Sequence, residues 1–321
     1  MTQYILRRLA ISVPLLGLIL LITYVFVNLA PGDPITAMTD PEYLASISQK
    51  DLELQRKALG LDKPIPYRFG IWAKRVLMGD FGYSYSSGRP VLKVISERVL
   101  PTLELTLTAL VISTVLGTVF GVIAALRHYS FYDYSLSIAA LIGVSIPAFF
   151  FALITLYLFA AVWEIFPAYG MSSRTHGFSI SDNLYHLFLP AMVLSVESMA
   201  GKTRYARTAM LEVLKSDYIT TARAKGLSSQ AVIWRHAFRN ALIPLITVTT
   251  LQLPGLIGGT LIIETMFNWP GMGLLSVRSV FERDYTMLMG LTLIISALVL
   301  FANLLADVLY AYAHPRIRVN R

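Results

Sequence analysis

Six long apolar runs constrain this chain more than any other feature of its sequence. Each run approaches or exceeds the roughly 20 residues that an α-helix needs to cross the hydrocarbon core of a bilayer. Backbone groups inside lipid must be hydrogen-bonded within their own segment, so such runs are predicted to be helices. The sequence therefore predicts an all-α membrane protein with six transmembrane helices. The predicted spans are Leu9–Ala30, Leu103–Leu126, Tyr134–Val162, Leu184–Ala200, Ala241–Ile263 and Met287–Tyr312.

The composition argues against a soluble globule. Only 14% of the 321 residues are charged and the mean hydropathy is +0.62, whereas soluble domains carry roughly 25% charged residues. The net charge of +8 lies largely beside the predicted spans, where orientation rules place it, so we do not interpret it as a nucleic-acid surface. The absence of cysteine from the sequence excludes disulfides, thiolate catalysis and iron–sulfur ligation.

Lys and Arg residues are divided unequally between the short loops on the two sides of the predicted bundle. With the N-terminus inside, the cytoplasmic segments hold fourteen of them, and the short outer loops 163–183 and 264–286 hold three. Cytoplasmic loops carry such an excess, so both termini are predicted to be cytoplasmic. The chain then divides into a first transmembrane helix (1–30), an extracytoplasmic cap segment (31–102) and a five-helix core (103–321). The core contains a cytoplasmic loop over 211–240.

The cap segment carries helix signals of its own. Ser48–Gly60 has acids first, bases later and a terminal Gly, and Pro64–Met78 is amphipathic. Gly79-Asp80-Phe81-Gly82 follows and is expected to end the second helix. We therefore predict a small folded cap, with Ile71, Trp72 and Val76 available to pack, instead of an unstructured linker.

Two small-xxx-small patterns lie inside predicted spans. They are Gly117-x-x-x-Gly121 and Gly255-x-x-x-Gly259. Such spacing lets helix backbones approach closely, so both patterns predict helix packing, with a subunit contact as the alternative. Pro14, Pro147 and Pro254 also lie inside spans and are expected to kink them.

Four acidic residues lie in or at the ends of the predicted spans. Charged groups within the bilayer are costly and normally face protein or water. Glu104 and Glu264 lie near the outer ends and are expected to reach the headgroups. Glu197 and Asp307 lie toward the inner ends, where they either pair, Glu197 with Lys202 or Arg204, or line a path for a substrate.

The sequence contains no recognisable catalytic motif. It has no H-E-x-x-H, no G-x-S-x-G and no metal-ligand spacing among its five histidines. Gly201-Lys202-Thr203 resembles the end of a phosphate-binding loop, but Val196 stands where that motif requires Gly. Lys202 is therefore interpreted as a cation at the cytoplasmic end of a span. We predict no catalytic residue, no metal site and no bound ATP in this chain.

The cytoplasmic segment Asp217–Thr247 predicts a helix, a turn and a second helix. Ala222-Arg223-Ala224-Lys225 is followed by Gly226, which is expected to end the first helix, and by Ser228 or Ser229 as the cap of the next. The second helix is basic and leads into the fifth span. A short helix exposed between two spans gives a cytoplasmic partner a surface to bind.

This loop and several other segments resemble the permease subunits of bacterial ABC importers. Within the loop they are Thr221–Ser228 and Arg235–Pro244. Elsewhere they include Ala30–Pro34, Leu100–Leu105 and the Glu264–Gly273 segment, so the likeness covers nearly the whole chain. The branch that they resemble transports oligopeptides, dipeptides or nickel. The long segment after the first span resembles the first of the two permeases of a peptide importer.

The resemblance implies one half of a translocation path for short peptides in a bacterial plasma membrane. The implied partners are a second permease, two cytoplasmic ATPases that bind ATP and Mg²⁺, and an extracytoplasmic peptide-binding protein. The chain itself is implied to be no enzyme. The loop helix would enter a groove on one ATPase, with Ala222 on the inserted face. The coupling residues would be Thr220, Thr221, Ala222, Arg223, Ala224, Lys225, Gly226 and Leu227.

Other functions remain open from the sequence. Within the same family, the ligand could be nickel or another small molecule. A self-sufficient secondary transporter would predict an internal repeat and a buried acid network, and a membrane enzyme would predict a catalytic constellation. The sequence displays none of these features.

Overall fold

The computed structural model of the chain describes residues 2–29, 48–58, 60–173 and 179–313. These residues are almost entirely helical, as the sequence predicts. Segments of π-helix, Leu156–Val162 and Val232–Phe238, extend α6 and lead into α10. The helices are α1 (Thr2–Leu29), α2 (Gln49–Ala58), α3 (Ile65–Leu77), α4 (Val91–Leu126), α5 (Phe131–Ser145), α6 (Ala148–Thr155), α7 (Ile180–Leu214), α8 (Asp217–Ala224), α9 (Ser229–Ala231), α10 (Arg239–Met266), α11 (Met272–Phe281) and α12 (Tyr285–Ala313).

Four of these helices are long and apolar enough to cross a membrane. They lie in α1, α4, α7 and α12, and the α5–α6 pair would make a fifth span if it counts as one. The predicted span Ala241–Ile263 falls within α10, where the side chains of 253 and 256–259 lie outside the described part. The sixth span and the orientation of the bundle therefore stay predictions.

The predicted span Tyr134–Val162 is broken and not merely kinked. Helix α5 ends at Ser145 and α6 begins at Ala148, and the two axes differ by 106°. Pro147 has no backbone N–H to continue the ladder, and it pushes Ile146 into an extended conformation. The prediction that Pro147 disturbs the span is confirmed, but the structure has a break where we predicted a kink.

The chain divides into two compact units. The first comprises Met1–Pro101 and Pro270–Leu300, and the second comprises Thr102–Trp269 and Phe301–Arg321. Helices α4 and α12 each contribute residues to both units.

The first unit contains the two helices predicted for the cap segment. Helices α2 and α3 lie within the predicted stretches, and Gly79 after α3 has a φ of +84°, which glycine adopts without strain. Trp72 of α3 packs on a core cluster that includes Tyr24 and Met289, whereas Ile71 is 40% exposed. The prediction of packing is thus confirmed for Trp72 and wrong for Ile71.

A buried carboxylate fixes the turn that precedes α4. Asp284 is almost fully buried and accepts hydrogen bonds from the Ser84 hydroxyl at 2.5 Å and from the Ser86 amide at 3.3 Å. Its other oxygen caps α12 by accepting from the Met287 amide at 3.0 Å. One side chain therefore satisfies both a turn and a helix N-terminus within the first unit.

In the second unit, α4 and α7 approach closely at the first small-xxx-small pattern. A Cβ atom added at Gly121 would lie 2.4 Å from the Ala206 Cβ and 2.5 Å from the Thr203 carbonyl oxygen. Gly117 is similarly close to the backbone of Met199. The predicted packing role is confirmed for this pattern, whereas a Cβ at Gly255 would meet no atom of the described residues within 4 Å.

We expect Gly121→Ala to destabilise the chain by about 1–3 kcal/mol, the usual size of overpacking, because the backbones cannot separate without losing contacts. Gly255→Ala is the matched control, since it adds the same methyl group to a helix with open space around it. The measurement is the thermal unfolding midpoint of each purified variant in detergent. Equal midpoints for the two variants would contradict a tight α4–α7 contact.

Candidate coupling loop

Helix α8 is short and ends in a turn held by its own backbone. Gly226 has a φ of +77°, and its amide donates to the Arg223 carbonyl at 2.9 Å. The Leu227 amide donates to the Ala222 carbonyl at 3.4 Å, which completes a Schellman motif. Ser228 then caps α9 by accepting from the Ala231 amide at 3.3 Å. The helix, the glycine turn and the serine cap predicted from the sequence are therefore confirmed.

The two faces of α8 differ sharply in burial. Ile219 and Ala222 pack into a core cluster of the second unit that includes Met210, Val232 and Ala237. Ala222 is only 7% exposed, so the expectation that it lies on an outward face is wrong. The Ala222 methyl group is buried because residues 219 and 222, three apart, lie on the same face of α8, and this face packs against α7. The exposed members of the predicted set are Thr220, Thr221, Arg223, Ala224, Lys225, Gly226 and Leu227.

An exposed tryptophan, packed edge-on against a partly buried phenylalanine, lies just after the turn. Trp234 is 55% exposed, and its ring centroid is 5.3 Å from that of Phe238. Both belong to the π-helical segment Val232–Phe238, whose Val232 and Ala237 are buried in the same cluster as Ile219. The segment thus joins the loop to α10 while presenting apolar surface, a feature that the sequence analysis missed.

An ion pair between a buried carboxylate and a partly buried guanidinium anchors the connection between α4 and α5 to α7. The Arg207 Nε lies 2.6 Å from one Asp133 oxygen, and its Nη2 lies 2.8 Å from the other. Asp133 is 2% exposed and also accepts from the Tyr129 amide at 3.0 Å. His128 Nδ1 lies 3.0 Å from the same carboxylate. This bidentate geometry is the strong form of a charged hydrogen bond, and the sequence analysis did not identify it.

Lys202 is fully buried between α4 and α7. Its Nζ donates to the Ser113 hydroxyl at 2.7 Å. It is therefore not an exposed cation at the end of a span, and its predicted pairing with Glu197 is wrong. The close approach at Gly117, whose Cβ would lie 2.8 Å from the Lys202 Cβ, encloses the side chain.

Glu197 lies at an apolar cavity of about 230 Å³ beside the α5–α6 break. Its side chain is exposed, and it is the one ionisable residue among the described lining residues. Asp307, the other candidate for a substrate path, is partly buried in α12 and does not line this cavity in the described chain. The lining residues are Ala139, Ile142, Gly143, Ile146, Ala148, Phe151, Val193, Val196 and Glu197.

The two acids near the predicted outer ends, Glu104 and Glu264, differ in burial. Glu264 is fully buried and accepts a hydrogen bond from the Thr102 hydroxyl at 2.7 Å. Its expected contact with headgroups is therefore wrong, whereas Glu104 is partly buried. Across the described residues, no three His, Asp or Glu side chains gather into a group that could hold a metal ion.

Comparison with known proteins places these features in one family. Residues 117–319 match the family described as "Binding-protein-dependent transport system inner membrane component", and residues 1–106 match its N-terminal companion. The chain is 42% identical to the oligopeptide transport system permease protein AppB of Bacillus subtilis (strain 168), over 99% of both chains. It is 36% identical to the glutathione transport system permease protein GsiC of Escherichia coli (strain K12), again over 99% of both.

A solved structure shares the fold. The methionine ABC transporter MetNI, in inward-facing conformations, gives a TM-score of 0.57 at 16% identity. The match covers 70% of this chain and 98% of the matched one. At this identity the likeness concerns the fold alone.

Proposed function

The chain belongs to the family of binding-protein-dependent transport system inner membrane components, and on that premise we propose that it imports short peptides as one of two permease subunits. The named relatives are permeases for oligopeptides and for glutathione, itself a tripeptide. The proposed partners are a second permease, two cytoplasmic ATPases carrying ATP and Mg²⁺, and an extracytoplasmic peptide-binding protein. The proposed location is a bacterial inner membrane. A nickel ligand, the alternative within this branch, has no observation in its favour here.

The observation that carries the proposal is the two-sided character of α8. Its outward residues, such as Arg223 and Lys225, are exposed for a partner, while Ile219 and Ala222 pack with residues of α7 and α10. A force applied to the outward face would therefore move α7 and α10 with it, because packed interiors transmit displacement. We propose that ATP-driven closure of the ATPases moves α8 in this way and reorients the spans.

Glu197 is proposed to contact the peptide during transport. A lone carboxylate on an otherwise apolar cavity wall suits the terminal ammonium group of a peptide, with apolar side chains lying against the remaining wall. Because peptides of many sequences share that ammonium group, the contact would be permissive toward side chains. Asp307 is kept as a second candidate for the same path.

The test is ATP-dependent peptide uptake by the complete complex in vesicles. We expect uptake of a labelled tripeptide, and Glu197→Gln should lower it about two- to fivefold, the size of a partly exposed ion pair. The effect should disappear for the N-acetylated peptide, which lacks the ammonium group. Glu282→Gln, an exposed acid outside the cavity, is the control. Uptake of nickel without uptake of peptide would refute the proposed substrate.

The proposed topology is tested by cysteine labelling, since the native sequence contains no cysteine. Both Lys57 and Lys225 are exposed. Lys57→Cys should react with a membrane-impermeant maleimide in intact spheroplasts, whereas Lys225→Cys should react only after lysis. The reverse pattern would place the cap segment inside and invalidate the assignment of α8 to the ATPase side.

A further inference from the structure

A pocket in the first unit is lined by cations and aromatic rings. Its volume is about 350 Å³, and it is formed by the end of α1, by α3 and the turn after it, and by the start of α12. The volume lies in the range of pockets that hold small ligands.

The described lining of this pocket has an excess of positive charge. Lys57, Lys63, Arg68 and Arg75 contribute four cations, and Asp80 contributes the one carboxylate. Asp80 already accepts a hydrogen bond from the Gly82 amide at 2.9 Å and lies 3.9 Å from the Arg75 Nε. Three positive charges therefore remain without a matching acid in the lining, which favours an anionic ligand.

Two buried donors of the same lining have no hydrogen-bond partner within the described chain. They are the Arg68 Nε and the Trp72 Nε1. Buried donors are nearly always satisfied, and leaving one unsatisfied costs free energy. A ligand with several charged oxygens, such as a phosphate diester, would supply acceptors for both. Charge-assisted bonds of this kind are also the stronger ones.

The pocket opens beside an apolar helix surface. Tyr24 and Asn28 of α1 line it, and Leu21, one turn before Tyr24 on the same side of the helix, is 39% exposed. The aromatic residues Tyr24, Trp72 and Tyr85 in the lining are the types enriched at membrane–water interfaces. A water-soluble anion would not use the neighbouring apolar surface, whereas a phospholipid would cover it with its acyl chains.

We propose that this pocket binds the phosphate group of an anionic phospholipid, with the acyl chains along the side of α1 that carries Leu21. Basic pockets beside transmembrane helices recognise lipid headgroups through the same combination of charge and hydrogen bonding. The site requires only that α1 crosses the membrane. It is independent of the transported substrate, so failure to transport peptide would leave this proposal unaffected.

The test is native mass spectrometry of the full-length protein released from vesicles with equal amounts of phosphatidylglycerol and phosphatidylcholine. We expect the protein to retain phosphatidylglycerol preferentially, and Arg68→Gln to weaken that retention roughly tenfold, as loss of one charged hydrogen bond predicts. Lys74→Gln is the matched control, because Lys74 is exposed on the same helix and outside the lining. The double variant Lys57→Gln/Lys63→Gln removes two exposed cations and repeats the test without altering a buried side chain.

Three results would overturn the assignment. Equal retention of the two lipids would show that the pocket does not select an anionic headgroup. Equal retention by the Arg68→Gln and Lys74→Gln variants, and by the Lys57→Gln/Lys63→Gln variant, would place the lipid elsewhere on the protein. Release of phosphatidylglycerol by excess inorganic phosphate would assign the pocket to a free anion and not to a lipid.

Discussion

Replacing Arg207 with Met is expected to lower the free energy of unfolding by about 3–5 kcal/mol. The substitution keeps most of the apolar stem but leaves the Asp133 carboxylate buried without its guanidinium. The free-energy cost of desolvating the carboxylate then exceeds the stabilisation from its remaining hydrogen bonds with the Tyr129 amide and His128. The measurement is unfolding of the purified protein in mixed micelles, followed by circular dichroism as denaturing detergent is added.

Two further variants separate the ion pair from general effects of charge removal. Arg204→Met removes an exposed cation from the same helix and should change stability by less than about 1 kcal/mol. Asp133→Asn combined with Arg207→Met should recover much of the loss, since a neutral amide tolerates burial and can still accept from Tyr129. If Arg207→Met and Arg204→Met unfold at the same denaturant concentration, the pair contributes no net stability.

The second large effect concerns the proposed coupling role of α8. Gly226→Val should strain the turn by roughly 1–2 kcal/mol, because valine reaches a positive φ only against steric repulsion. Ala224→Asp should place a charge on the exposed face without burying it. For both variants we expect retention of the ATPases to fall about tenfold or more, which corresponds to roughly 1.4 kcal/mol of binding. Co-purification of the ATPases and peptide uptake in vesicles provide the measurements.

Matched substitutions distinguish coupling from folding. Gly60→Val imposes the same kind of strain at a φ of +67°, but in the cap segment, and should leave ATPase retention unchanged. Ala222→Asp should lower thermal stability directly, since it buries a charge in a core cluster. Parental ATPase retention and uptake by both Gly226→Val and Ala224→Asp would show that α8 is not the coupling element.

The parts of the structure that depend on local sequence were predictable. The end of α8 follows from one glycine, and the cap of α9 follows from one serine, so a few adjacent residues determine each. The helices of the cap segment follow equally from nearby charges and from Pro64. The apolar runs likewise predicted helices because lipid leaves the backbone no other partner.

The parts that depend on distant residues were not predictable from one sequence. Asp133 and Arg207 are 74 positions apart, and no local pattern marks them as partners. The burial of Lys202 was equally unpredictable, because it depends on Gly117 of another helix. The inward direction of Ala222 is set by packing against α7 and the segment after α9, so a motif that marks the loop as functional does not indicate which side faces the partner.

The distance of 74 residues between Asp133 and Arg207 has a consequence for biosynthesis. Ribosomes add about 5–20 residues per second, so the carboxylate exists for about 4–15 s before its guanidinium is made. During that interval water and nearby groups, the Tyr129 amide, His128 and the Ser137 hydroxyl, are what can satisfy it. We therefore expect residues 127–133 of the nascent chain to stay at an aqueous surface while α6 and α7 are still being synthesised. Once α7 has been synthesised, Arg207 can form the ion pair with Asp133 and fix the start of α5 to α7.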